Sequence, residues 1–231
     1  MNFIVNVQKF IPRFVNAFFI TLALAAISLI LATLVGIIVG LINTTKSKNI
    51  VLKILRFIAR IYIDIIRGTP MIVQILIIYF GIPNLLNAIG FTWSNHGGQF
   101  TAGIVVLTIN AGAYMSEIVR AGIESVDPGQ VEAARSLGLN YSKTMQKIIL
   151  PQALRTMLPS IINQFIISIK DTSLLSTIGL AELTNVAKQV NANWSSQTMA
   201  LYCFLALWYL IICLSLSKLS EVVEKRMSYG R

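Results

Sequence analysis

Five ionisable side chains stand inside the most apolar stretches of the sequence: Asp64, Arg67, Glu117, Lys170 and Asp171. A charge in apolar surroundings is costly to desolvate alone, so each needs a partner or a function. Asp64 and Arg67 lie three residues apart and can pair along one helix. Lys170 and Asp171 are adjacent, point to different faces, and call for partners on other helices. Glu117 has Arg120 within reach at the same three-residue spacing, although Arg120 should reach for the nearer aqueous surface. Asn110, Tyr114 and Glu117 recur at about helical spacing, which gathers an amide, a phenol and a carboxylate on one face. Asn163 adds a second amide further along. These groups can lock helices in register through internal ion pairs, or they can meet a polar ligand.

Hydropathy places the elements that hold them. The 231 residues are 55% hydrophobic and 12% charged, with a mean hydropathy of +0.73. A soluble domain is about 25% charged, so this composition belongs to the membrane class. A helix needs about 20 apolar residues to span a bilayer. Five stretches qualify, at about 14–42, 61–81, 100–122, 154–178 and 196–217, and 1–231 reads as one all-α transmembrane domain. The first runs uncharged from Phe14 through Thr45, 32 residues, too long for the core of a cleavable signal. Of the 19 Lys and Arg residues, 14 fall in the stretches after the first span, around 120–155, and after 217, from Lys46 to Arg231. Only Lys9, Arg13 and Lys188 fall on the alternate side. Basic residues stay in the cytoplasm, so the N-terminus is expected outside and the C-terminus inside. The net charge of +10 is explained by these loops rather than by nucleic acid.

Other chemistry is excluded by what the sequence lacks. Cys203 and Cys213 are ten residues apart on one presumed helix, about 15 Å of rise, and cannot bridge. His96 is the single histidine, and no metal-ligand spacing exists. Neither Lys46-Ser47 nor Lys143-Thr144 follows the glycines of a nucleotide-binding loop. Gly68, Pro70 and Pro159 weaken the helical ladder, and broken backbone at membrane depth is tolerated where it lines a cavity. Arg67, Gly68 and Pro70 therefore mark an expected bend beside a pathway, with a packing kink as the plainer account.

A charged element at about 128–150 interrupts the apolar chain. Asp127-Pro128 reads as a helix cap followed by proline at the first position. Val131, Ala134 and Leu137 form the apolar stripe, and Gly138 suits a left-handed end. A second helix is expected from Asn140 to Leu150, with Pro151 opening the next. By itself this could be a surface-lying loop without a partner. Its spacing, however, is Glu132-Ala133-Ala134, three residues, Gly138, nine residues, Ile148, one residue, Leu150-Pro151. That pattern resembles the signature of bacterial ABC importer permeases. "RGTPMIVQILIIYFGIP" at 67–83, the stretch 110–139, and 150–183 resemble the polar amino-acid uptake branch of that family.

The resemblance implies an inner-membrane, multi-pass permease that imports polar amino acids of the arginine, lysine, histidine or glutamine type by alternating access. It implies that 128–150 is a cytoplasmic coupling element, with Glu132, Ala133, Ala134, Arg135 and Gly138 meeting a separate ATPase. The further partners implied are a second permease, identical or a sister chain, and an extracytoplasmic solute-binding protein. ATP and magnesium would be bound by the partner ATPase, with no cofactor and no catalysis in this chain. An amino acid offers an ammonium and a carboxylate. Glu117 would meet the positive group, with Asn110, Tyr114, Asp171, Asp64 and Asn163 as further substrate contacts. Two rival readings are a permease of the same family for another small solute, and a proton-coupled carrier using Asp64, Glu117 or Asp171 as relays. A membrane enzyme lacks any nucleophile–base pair here.

Overall fold

The computed structural model describes residues 3–45, 48–193 and 197–228. Lys46, Arg231 and the start of the fifth expected span at Ser196 lie outside the described residues. The chain is helical throughout, with no strand among the described residues. Helix α1 (Phe3–Thr44) packs along α5 (Gly98–Glu124). Gly36 and Gly40 let them approach: a Cβ on Gly36 would lie 2.5 Å from Met115 Cγ, and one on Gly40 2.8 Å from Val119 Cβ.

Helix α2 (Ile50–Gly68) starts on Asn49, whose side chain accepts a 2.8 Å bond from Val51 N. Tyr62 ties it to α5 by donating to Ile109 O at 2.6 Å. The chain then turns by 110° into the segment Met71–Leu85. Thr69 is extended because it precedes proline, and Pro70 has no amide to continue the ladder. Beyond the bend lie α3 (Met71–Leu76), a π turn (Ile77–Gly81) and α4 (Ile82–Leu85). Trp93 donates to Ile78 O within that π turn at 3.1 Å.

Helix α6 (Pro128–Ser136) begins on Asp127, which accepts from Gly129 N at 2.7 Å. It ends on Gly138, at φ 84°. Gly138 N bonds Arg135 O at 3.0 Å and Leu139 N bonds Ala134 O at 3.1 Å. This pair of bonds is the Schellman closure, which satisfies the final carbonyls from within the turn. Ala134 is buried and Val131 packs against the cluster of Val119, Val126, Ile149, Ala153 and Met157, but Leu137 does not complete the expected stripe. As the C-cap residue it has left the helical phase, and its side chain is 85% exposed.

The expected helix end at Pro151 is also corrected. Helix α7 (Tyr141–Thr144) passes through a π turn (Met145–Ile149) straight into α8 (Leu150–Asp171), all in right-handed backbone. The widened turn, with Leu150 N bonded to Met145 O, shifts the pairing where Pro151 lacks its amide. A 3-10 stretch (Thr172–Ile178) follows, then α9 (Leu183–Ala192) and α10 (Thr198–Ser228). Glu182, fully buried, caps α9 by accepting from Thr184 N at 2.8 Å and Asn185 N at 2.6 Å, and Tyr209 donates to it at 2.9 Å.

Among the described residues, 8–44, 98–124 and 198–226 are long and apolar enough to cross a bilayer, and the bent pair adds a fourth if counted as one crossing. The expected 61–81 span is thus broken at the bend. Helix α8, expected within 154–178, is not of this kind. It ends at Asp171 and devotes one side to Thr156, Ser160, Asn163 and Gln164, which line a cavity.

Candidate functional site

The bend at Thr69–Pro70 leaves carbonyls without helical partners, and side chains take their place. Thr69 Oγ1 donates to Ile65 O at 2.8 Å. Gln74 Nε2 donates to Ile66 O at 2.8 Å, Thr69 O at 3.1 Å and Thr69 Oγ1 at 2.9 Å. Asn110 Nδ2 in turn donates to Gln74 Oε1 at 2.9 Å. Asn110 is 6% exposed and does not border the cavity. The face it shares with Tyr114 and Glu117 is covered at its level by α3. Asn110 thus clamps the bend through Gln74. Gln74 was not among the sequence candidates. The available signal was its position, a lone amide four residues past Pro70 in an apolar run.

The repaired bend holds Arg67 in the lining of a cavity of about 880 Å³. Tyr114, Glu117 and Arg120 from α5 and Thr156, Ser160, Asn163 and Gln164 from α8 share the lining. Gly122, also on the wall, sits so close to α8 that a Cβ would lie 2.3 Å from Met157 Cγ. An adjoining cavity of about 320 Å³ is lined by Asn43, Arg60, Asp64, Arg67, Glu117, Arg120 and Glu124. Arg67, Glu117 and Arg120 border both spaces.

Glu117 is the centre of the charges. Arg120 Nη2 donates to its Oε2 at 2.9 Å and Arg120 Nε to its Oε1 at 3.2 Å, a forked pair. Arg120 Nη1 also donates to Glu124 Oε2 at 2.6 Å. Arg67 Nη1 approaches Glu117 Oε2 from the other side at 3.4 Å. Its guanidinium stacks over the Tyr114 ring, 5.5 Å from the centroid. The side chains of Arg67 and Glu117 are 44% and 25% exposed, so water reaches the group and each pair is individually weak. Arg67 turns to Glu117; it forms no ion pair with Asp64, which sits in the smaller cavity.

The cavity thus gathers Tyr114, Glu117, Asn163 and Arg67 from the expected set, and the adjoining space holds Asp64. Asp171 is half-buried and borders neither space. Gly68 and Pro70 form the bend itself. In the element at 128–150, Glu132, Ala133, Arg135 and Gly138 are exposed and Ala134 is buried. The turn presents Leu137 and the half-exposed Tyr141 outward.

Residues 32–229 match the family described as binding-protein-dependent transport system inner membrane component. The chain is 37% identical over 217 residues to the glutamine transport system permease protein GlnP of Escherichia coli strain K12, covering 94% of each. It is 35% identical over 217 residues to the arginine transport system permease protein ArtQ of Bacillus subtilis strain 168, covering 94% of this chain and 93% of that one. A solved amino acid ABC transporter, with histidines, superposes at a TM-score of 0.86 and 36% identity, covering 98% of this chain and 99% of that chain.

Proposed function

The chain belongs to the binding-protein-dependent transport system inner membrane components, and from that premise we propose how it works as the permease of an ATP-driven amino-acid importer. It is a multi-pass protein of the bacterial inner membrane, and it is not an enzyme; ATP hydrolysis belongs to a separate subunit. Its substrates are polar amino acids. The observation that carries the reading is the match to this family along 32–229, joined to a polar cavity with fixed charges of both signs inside an otherwise apolar fold.

In this reading 1–231 is one domain of five spans with the N-terminus outside, α8 serving as the fourth span with one face on the pathway. The element at 128–150 lies in the cytoplasm and meets the ATPase through Glu132, Ala133, Arg135, Gly138 and the projecting Leu137, with Ala134 holding it to the core. ATP and magnesium bind on the ATPase, and none binds here. A second permease, a copy of this chain in preference to a sister chain, closes the open side of the cavity. A solute-binding protein delivers substrate from outside. Glu117, Tyr114 and Asn163 contact the amino acid, with Arg67 at the bend beside it. Closure of the ATPases moves 128–150, whose end is tied through the π turn into α8, and so moves the cavity wall. Different contacts in the inward and outward states couple substrate to nucleotide.

The test is reconstitution in liposomes. The chain should co-isolate with a nucleotide-binding subunit, and polar amino acids with their binding protein should stimulate ATP hydrolysis. A chain that forms no such complex, or transports on a proton gradient alone, would contradict the proposal.

A further inference from the structure

The carboxylate at the centre of the cavity faces two guanidinium groups, and the balance of charge around it bears on which amino acids it suits. Glu117 holds Arg120 in a fork and has Arg67 at its other side. Glu124 is held by Arg120. Asp64 shares its space with Arg60 and Arg67. The six charges around the two cavities are three basic and three acidic, and the larger cavity alone carries two basic and one acidic. A cationic amino acid would bring a further positive charge to a cavity that already carries two basic groups against one acidic; Asp64, which forms no ion pair with a described residue, stands in the adjoining space beside Arg60 and Arg67. Like charges placed together at a recognition site work against the wrong ligand. A zwitterion with a neutral side chain leaves the balance as it is.

Arg67 differs from Arg120 in being open. Its nearest acidic atom is 3.4 Å away, it makes no hydrogen bond to any described residue, and its flat face is fixed over Tyr114. Its planar fork is the donor geometry that suits a carboxylate in two-point contact. Asn163 and Gln164 of α8 also line the 880 Å³ space, and their amides suit a neutral polar side chain. Overall likeness does not choose between substrates, since the relatives named for glutamine and for arginine are 37% and 35% identical to this chain.

We infer that the cavity selects amino acids with uncharged polar side chains over cationic ones, Arg67 taking the α-carboxylate and Glu117 the α-ammonium. The inference rests on the reading of this chain as an amino-acid importer permease. Arg67 is thus a substrate-binding residue and not only part of the bend.

The experiment uses the purified permease–ATPase complex without any solute-binding protein, so that the permease's own preference is read. Radiolabelled glutamine is the probe, displaced by unlabelled glutamine, asparagine, lysine or arginine. Lysine and arginine should need about tenfold higher concentration than glutamine or asparagine, the scale of one modest unfavourable charge contact. Arg67→Gln should weaken glutamine binding by about tenfold on the same scale, and Arg67→Lys should restore much of it. Displacement by lysine or arginine at equal or lower concentration, or binding of labelled arginine but not glutamine, overturns the inference and leaves the importer reading standing. Unchanged glutamine affinity in Arg67→Gln removes Arg67 from the site. If none of the four amino acids binds, the cavity reading itself falls.

Discussion

The chain breaks its helical ladder twice, and the two breaks are repaired in opposite ways. At Thr69–Pro70 the freed carbonyls are answered by side chains, Gln74 and Thr69, with Asn110 reaching from 36 residues away to hold Gln74. At Leu137–Gly138 the turn closes on itself through two backbone bonds to Arg135 and Ala134. Gln74 and Asn110, which answer the first break, are buried, so their polar atoms must find partners in the protein. The second needs no help from elsewhere, which leaves its side chains free for another molecule. One break builds an interior wall, and the other builds a surface.

Substitutions can break or sharpen that contrast. The largest effect is expected from Gln74→Leu, which strips the partners from Ile66 O, Thr69 O and Asn110 Nδ2. Each buried polar group left unsatisfied costs about 1–3 kcal/mol. The thermal midpoint of the purified protein in detergent should fall by several degrees or more, whereas Gln130→Leu, in the exposed element, should leave it nearly unchanged. A silent Gln74→Leu would mean the bend holds without its side-chain bonds.

Next in size is Gly138→Val. A branched side chain at φ 84° costs about 1–2 kcal/mol. The strain is local, so membrane insertion should persist while amino-acid-stimulated ATP hydrolysis is lost. Normal stimulation would show that the left-handed turn is dispensable for coupling. Smaller still on stability is Leu137→Glu, at an 85% exposed position. Unfolding should shift by no more than about 0.5 kcal/mol, yet the yield of ATPase co-isolated with the chain should drop. Equal yield would show that this side chain is not part of the contact. The least perturbing test is labelling with a membrane-impermeant maleimide on intact cells. Asn95→Cys should react and Ser136→Cys should not; the reverse would invert the topology.

What the sequence made legible was local. Asp127-Pro128 at the start of α6, glycine at 138 and the proline break at 70 are read from neighbours alone, because caps and prolines act within one turn. The gathering of Tyr114, Glu117 and Asn163 was legible as residue types without geometry. What was hidden depended on distance or on phase. Nothing local to Asn110 reveals that its amide is tied to Gln74 on α3. Leu137 fitted the stripe only if the helix ran one residue longer than it does. Pro151 marked a helix end by rule, but the π turn at 145–149 carries the helix past it. Arg67 looked paired to Asp64 by spacing, whereas the bend swings it to Glu117.

The central claim is that the charged cavity is where an amino acid is met during ATP-driven import. Glu117→Gln tests it most directly, since it keeps the shape and removes the charge that holds Arg120 and faces Arg67. Removing one member of a buried charge pair costs about 3–5 kcal/mol, and at 25% exposure the loss should be smaller. The measurement is ATP hydrolysis by the reconstituted complex, with and without amino acid and binding protein. The account predicts that basal hydrolysis and assembly with the ATPase persist while stimulation falls at least about tenfold. Stimulation equal to that of the unaltered protein would contradict it.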